Sequence, residues 1–298
     1  MRDVTVGGLM VLVSATGLGT LAIFGKFAEA ADLSRPTLLF FRFSLGALIV
    51  WSVLLVRNDV TLLRGRPLYA TIFLGILYGF LTLAYFRGLS FMTASLTAIV
   101  FYTYPIFVFG LSVPLLDEQL SRASLSALAL ALAGVVLVIG IDLSQISILG
   151  ILLVTSAAAG YGIYNVAGRI LTADTDPTHL TAHVLVITAL TIGVRWGMEG
   201  FNPPQSPTHW GIILGIGVLG TGIPLLLLYE GLERIEATHA SIIGTAEPVA
   251  TVILGVTILG ETLTPRTLVG AILVLGGVTL VQTTRDQREW LLAKVGLH

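Results

Sequence analysis

The sequence predicts an all-α polytopic membrane protein of ten transmembrane helices, arranged as two inverted five-helix repeats. Three observations carry that prediction. Hydrophobic residues make up 55% of the 298 residues and charged residues only 11%, where a soluble globular domain carries about 25% charged. The chain divides into ten apolar stretches of about 20 residues, each long enough to cross a hydrocarbon core of about 30 Å. Written under itself with a shift of 143 residues, the chain matches in the residue types that are hardest to match by chance.

The first stretch, 7–28, follows Arg2 and ends near "AEA" at Ala28 to Ala30. Those features also suit a signal peptide, but the run exceeds the usual apolar core of roughly 7–15 residues and belongs to the repeat. The second, 36–56, carries Arg42, and the basic loop "VRNDVTLLRGRP" separates it from the third, 67–89, which carries Tyr78 and Tyr85. The fourth, 94–115, holds Phe101, Tyr102, Tyr104 and Pro105, and the fifth covers 122–141. The sixth, 148–170, holds Tyr161, Tyr164 and Asn165, and the seventh, 178–198, holds His179 and His183. "GFNPPQSPTH", Gly200 to His209, is the longest polar gap; it reads as a Pro-rich loop rather than an interdomain linker. The eighth stretch is 210–232 with Tyr229, the ninth 237–259 with Glu247, and the tenth 266–284.

The shift brings Gly88, Ala94, Pro105, Glu118, Leu120 and Gly134 onto Gly231, Ala237, Pro248, Glu261, Leu263 and Gly277 without a gap. It also pairs Gly17, Gly19 and Gly25 with Gly160, Gly162 and Gly168, and is weakest over the second and seventh helices. The first repeat is expected over 1–145, the second over 146–284, and a tail over 285–298. Five is odd, so the second copy enters the membrane from the opposite side, the arrangement secondary transporters use.

With a cytoplasmic N-terminus the inner side holds ten Lys and Arg residues and the outer side five, Arg42 set aside. The positive-inside rule therefore predicts both termini in the cytoplasm. Trp290, Leu291 and Leu292 beside basic residues give the tail an amphipathic character suited to the membrane interface.

Several function classes are disfavoured. Cysteine is absent and the net charge is −1, so neither a thiolate metal site nor a nucleic-acid partner is expected. There is no H-E-x-x-H, no G-x-S-x-G and no closely spaced pair of intramembrane aspartates, which argues against an enzyme. "FGKF" lacks the upstream glycine of a phosphate-binding loop. "GIGVLG", Gly215 to Gly220, fits a dinucleotide pattern but lies in a membrane span with no strand before it, so it reads as small-residue helix packing, with Gly222 and Pro224 marking a deformable eighth helix. Neither a cofactor nor a metal is expected, and His179 with His183 is too sparse a set for zinc.

"GLSFMTASLTAIVFYTYPIFVFGLSVPLLDEQL" and "GLERIEATHASIIGTAEPVATVILGVTILGETL" both resemble the EamA branch of the drug/metabolite transporter superfamily. Each has an Ala-rich helix start, a mid-helix Pro and a Glu at the helix exit. The resemblance covers nearly the whole chain, and within the branch it extends to the YddG-type amino-acid exporters. It implies ten helices and export of amino acids or other small metabolites by alternating access, with helices 1, 3, 4, 6, 8 and 9 lining a central cavity. The resemblance does not fix the substrate, so a carrier of organic cations, nucleosides or sugar phosphates is an alternative, and a polar cleft with inverted repeats would also serve a channel-like facilitator. The expected setting is the inner membrane of a prokaryote, with a small-molecule substrate and the lipid bilayer as partners and the chain a monomer or weak homodimer.

An intramembrane carboxylate is costly, so Glu247 is by default functional. At helical spacing it shares a small, polar face with Ala240, Gly244 and Thr251, and the repeat sets it opposite Tyr104. It can bind a substrate ammonium, titrate a coupling proton, or pair with Arg42 or Lys26. Arg42 can snorkel to the headgroups or hold a substrate carboxylate. Tyr78, Phe101, Tyr104, Tyr161 and Asn165 complete the expected substrate-binding set. Pro105 and Pro248 free the carbonyls of Phe101 and Gly244, giving paired hinges or static kinks. His239 is a second proton-coupling candidate, or an interfacial residue. Glu118 and Glu261 are expected to cap loops at opposite faces.

Overall fold

The structure, a computed structural model, describes residues 2–92, 94–141, 146–198, 200, 202–260 and 262–295, with side chains omitted at Arg2, Ala94, Ser95 and 282–295. Within that range the chain is α1 (Arg2–Ala30), α2 (Arg35–Val56), α3 (Arg66–Leu89), α4 (Ala94–Phe101), α5 (Tyr104–Leu116), α6 (Arg122–Ile139), α7 (Ile148–Leu171), α8 (Pro177–Met198), α9 (Pro207–Gly217), α10 (Ile223–Arg234), α11 (Ala237–Gly244), α12 (Glu247–Leu259) and α13 (Pro265–Val295). Among the described residues, nine segments are long and apolar enough to cross a membrane, and Pro265–Val281 of α13 adds a shorter apolar one. These are the ten expected spans. α13 runs on through the expected tail as one helix; the amphipathic reading of the tail rests on side chains outside the described set.

Three spans are broken, where the sequence suggested kinks. The fourth is α4 followed by α5, and the ninth is α11 followed by α12, with Pro105 and Pro248 in the first turns of the second pieces. At the ninth break the N–H groups of Thr245 and Ala246 turn back to the carbonyls of Ile242 and Ile243, each at 3.0 Å. Pro248 has no N–H to offer the carbonyl four residues back, and here the ladder tightens and restarts before it. Glu247 is therefore the first residue of a new helix rather than a mid-helix residue, and its carboxylate stands at the positive end of the α12 dipole. The eighth span joins α9 to α10 through a π-helical turn, Val218–Gly222, in the Gly-rich stretch the sequence marked as deformable.

The packing repeats about a pseudo-two-fold. α1 lies against α10 and α12 as α7 lies against α3 and α5, while α2 with α8 and α6 with α13 are self-related pairs. The glycines show the register. A Cβ on Gly231 would lie 3.0 Å from the Gly7 carbonyl oxygen and 2.5 Å from Val11. Gly88, its repeat equivalent, faces Gly150, at 3.2 Å from its carbonyl oxygen, and Val154, the equivalents of Gly7 and Val11. Gly134 likewise meets Gly270 and Val274, and Gly277 meets Ala127 and Ala131. With no strong hydrophobic drive between helices in lipid, such close backbone approach is a main source of packing.

The two-fold is not exact, and α11 departs from it beside the cleft. α11 packs against α5, α6 and α7, but among the described residues α4, its equivalent, makes no comparable contact with α12, α13 or α1. All of α11 except His239 and Gly244 is buried, whereas among the described α4 side chains only Thr97 is. An even number of spans puts both chain ends, and the start of α11, at one end of the bundle. The cleft between the halves is thus closed at that end and looser at the other.

Candidate functional site

A central cavity of about 10 Å³ lies between the halves, lined by Val11, Ser14, Ala15, Leu18, Tyr104, Tyr161, Asn165, Leu228, Ala240, Gly244 and Glu247. That is room for about one water. The walls come from α1, α5, α7, α10, α11 and α12, which are spans 1, 4, 6, 8 and 9. Of the residues singled out in the sequence, Glu247, Tyr104, Tyr161 and Asn165 line it, as do Ala240 and Gly244 from the face expected to accompany Glu247.

The break in the ninth span shapes one wall. Tyr104 donates its hydroxyl to the carbonyl of Ser241 at 2.9 Å, an acceptor left open because Thr245 N–H turns to Ile242 instead. Gly244 leaves space for that hydroxyl, since a Cβ there would collide with it. Asn165 donates to the Tyr161 carbonyl at 2.8 Å, and Ser14 ties α1 to α10 by donating to Pro224 O at 2.7 Å. Thr251 does not face the cavity with Glu247; its hydroxyl donates to the carbonyls of Gly19 and Glu247, each at 3.1 Å.

Tyr78 and Phe101 stand behind the lining. Their ring centroids lie 6.3 Å and 5.6 Å from that of Tyr161, which stacks on Tyr164 at 5.9 Å. Arg42 sits beyond Tyr78. It is buried, at 6% exposure, and its Nε donates to Thr221 Oγ1 at 2.7 Å. The headgroup reading of Arg42 is therefore overturned: the helix face it occupies turns into the bundle, where Thr221 and Tyr78 provide for its charge. Thr221 belongs to the π-helical turn, and its hydroxyl also reaches the Ile216 carbonyl five residues back, at 3.0 Å. The Tyr102 hydroxyl, as a hydrogen-bond donor, and the Arg42 guanidinium, as a charge, both act on Glu247. The site thus joins a carboxylate and a guanidinium through a cluster of tyrosines.

His239 lies away from the cavity, with Nδ1 2.7 Å from Glu236 Oε2. His179 and His183 bind the α2–α3 loop to α8: His179 Nε2 lies 2.9 Å from Asp59 O, and His183 Nε2 accepts from Leu63 N–H at 3.4 Å. Asp176 caps α8 by accepting from Thr178 and His179 N–H at 2.8 and 3.1 Å. Partial burial opposes its ionisation, but those N–H groups outweigh it and hold the carboxyl below its ordinary range.

Glu118 does not cap its own loop. It crosses to the other half, accepting from Ala237 N–H at 2.8 Å, Thr238 N–H at 3.1 Å and the Thr238 hydroxyl at 2.7 Å. Glu261 lies outside the described residues. Sequence reasoning also missed Thr221 and the apolar lining; a threonine among glycines and a valine in a membrane span carry no distinguishing signal.

Residues 5–140 and 148–283 each match the model of the EamA-like transporter family. The chain is 26% identical to the uncharacterized transporter YcbK of Bacillus subtilis, covering 97% of this chain and 95% of the relative. It is 27% identical to an uncharacterized transporter of Archaeoglobus fulgidus over 94% and 97% of the two chains. The threonine/homoserine exporter RhtA of Escherichia coli is 26% identical over 43% of each chain. A solved crystal structure superposes with a TM-score of 0.82 over 95% of this chain and 98% of the other, at 21% identity, a likeness of fold.

Proposed function

The chain belongs to the EamA-like transporter family, and from that premise we propose that it exports amino acids or related zwitterions by alternating access. The observation that carries the reading is the pairing of Glu247, on the cavity wall, with buried Arg42 across the tyrosine cluster. A zwitterion needs both signs. Glu247 receives the ammonium, and Arg42, held at Nε by Thr221, turns its remaining N–H groups to the carboxylate in the planar geometry that guanidinium suits. Tyr104, Tyr161, Tyr78, Phe101 and Asn165 supply the walls. The export activity of the distant relative RhtA supports the same substrate class.

Ten basic residues against five support a reading with both termini in the cytoplasm, and the bacterial relatives support a prokaryotic inner membrane. The narrow cavity, closed at one end, favours a carrier over an open channel.

Counterflow into proteoliposomes preloaded with single amino acids, with internal pH followed, tests the proposal. Exchange that Glu247→Gln abolishes without proton movement makes the carboxylate a substrate-binding group. Exchange that survives while proton-driven accumulation is lost makes Glu247 the coupling site. If no amino acid exchanges in the parent protein, the substrate class falls, and organic cations, nucleosides and sugar phosphates come forward.

A further inference from the structure

We propose that Glu118 is a positioning residue for transport, the latch that holds α11 against the first half and keeps the cleft shut at the end carrying the termini. The inference rests on the carrier reading but not on any substrate.

Three observations lead to it. First, Glu118 has only 9% of its surface exposed, and its carboxylate receives three hydrogen bonds, all from Ala237 and Thr238 at the start of α11. All three donors belong to one helix start, so they leave the carboxylate together if α11 moves away, and the contact is made or released as a unit. Second, α11 is short and has the span break directly after it. It is fixed at its first turn by Glu118, in the loop that leaves the fourth span, and further along by the hydroxyl of Tyr104, within that span, on Ser241 O. A segment held at one end and jointed at the other can swing as a unit. Third, α11 packs on α5 and α6 of the first half, whereas among the described residues α4, its equivalent, crosses to the second half on α7 and makes no comparable contact with α12 or α13. Opening at the termini end requires α11 to leave α5, and the Glu118 contact lies farthest from the joint, where displacement is greatest.

The chain has no cysteine, so Ala15→Cys on the cavity wall introduces a single thiol. Its reaction with a membrane-impermeant maleimide is measured from each face of sealed vesicles, with a protease-sensitive tag at the C-terminus reporting which face carries the termini. Adding Glu118→Gln, which keeps size and removes charge, is expected to speed labelling from the termini face by about tenfold and to slow it from the opposite face. Thr238→Val, which removes one of the three bonds, gives the same opposed change at about threefold and decides the matter if Glu118→Gln is not recovered folded. Rates unchanged at both faces, or raised equally at both, would make Glu118 a structural cap only and overturn the proposal. Because labelling needs no substrate, this outcome is independent of the counterflow result.

Discussion

Tyr104 and Glu247 hold equivalent positions in the two halves, 143 residues apart, and both line the same cavity, each as the first residue of the helix that follows a break. The halves have kept the break and changed the side chain. One presents a phenol tied to Ser241 O at 2.9 Å, the other a carboxylate.

The phenol makes a double-mutant test. Tyr104→Phe removes one buried hydrogen bond and is expected to cost about 1 kcal/mol. Gly244→Ala places a methyl where that hydroxyl lies, an overpacking worth roughly 1–3 kcal/mol. The double variant removes the obstructing hydroxyl, so it should lose about as much as Tyr104→Phe alone. Thermal unfolding in detergent measures this; simple additivity would show that the Gly244 space exists for some other reason.

Arg42 and Thr221 give a second prediction. Lysine at position 42 keeps the charge but loses the planar fork and the Nε bond to Thr221. Arg42→Lys should lower transport of a zwitterion at least tenfold, about 1.4 kcal/mol in the barrier. Thr221→Val leaves the guanidinium present but unheld and should lower it less, with Thr221→Ser restoring it. Equal transport by parent and Arg42→Lys would mean that the guanidinium makes no directional contact with substrate.

The ten spans and the repeat were legible because they follow from apolar length and from coincident Gly, Pro and Glu, which hydropathy alone does not produce. Pro105 and Pro248 located the breaks, but whether a missing N–H bends a helix or divides it depends on where neighbouring carbonyls find donors, as Tyr104 shows at Ser241. Burial of Arg42 was not legible, since both readings of a charge a turn and a half from a span's end satisfy the same sequence; the choice was made by the π-helical turn, which delivers Thr221. Glu118 marked the repeat, yet its role depends on α11, 119 residues away in sequence.

Asp176 gives a pH prediction. Its carboxyl is held below the ordinary value of 3.8 by the Thr178 and His179 N–H groups. A lowered value in the folded state means that the ionised form stabilises the fold; the contribution is complete above the unfolded value and is lost as pH falls through the folded one. Melting temperature should therefore hold from neutral pH to about 4 and show the Asp176 contribution only below it. Asp176→Asn, which still caps, should be near parent at neutral pH and lack that acid component, while Asp176→Ala should cost about 1 kcal/mol throughout the neutral range. An Asp176→Ala protein that melts like the parent at neutral pH would remove the cap from the account.

Pro248 decides whether the break in the ninth span is a hinge or a fixed bend. Pro248→Ala restores an N–H four residues after Gly244, whose carbonyl then has a donor, and alanine is the best helix former. The repaired ladder would favour a continuous span, which should leave melting temperature unchanged or raised. If the two pieces must pivot during transport, the same repair resists the pivot, so turnover should fall several-fold while apparent substrate affinity measured from one face stays near that of the parent. Pro105→Ala should do the same in the first half, where α4 ends at Phe101 and α5 begins at Tyr104. Counterflow rates at saturating substrate, read beside melting temperature, distinguish the cases: a slower but equally stable protein identifies a hinge, and parental turnover in both variants identifies a static bend.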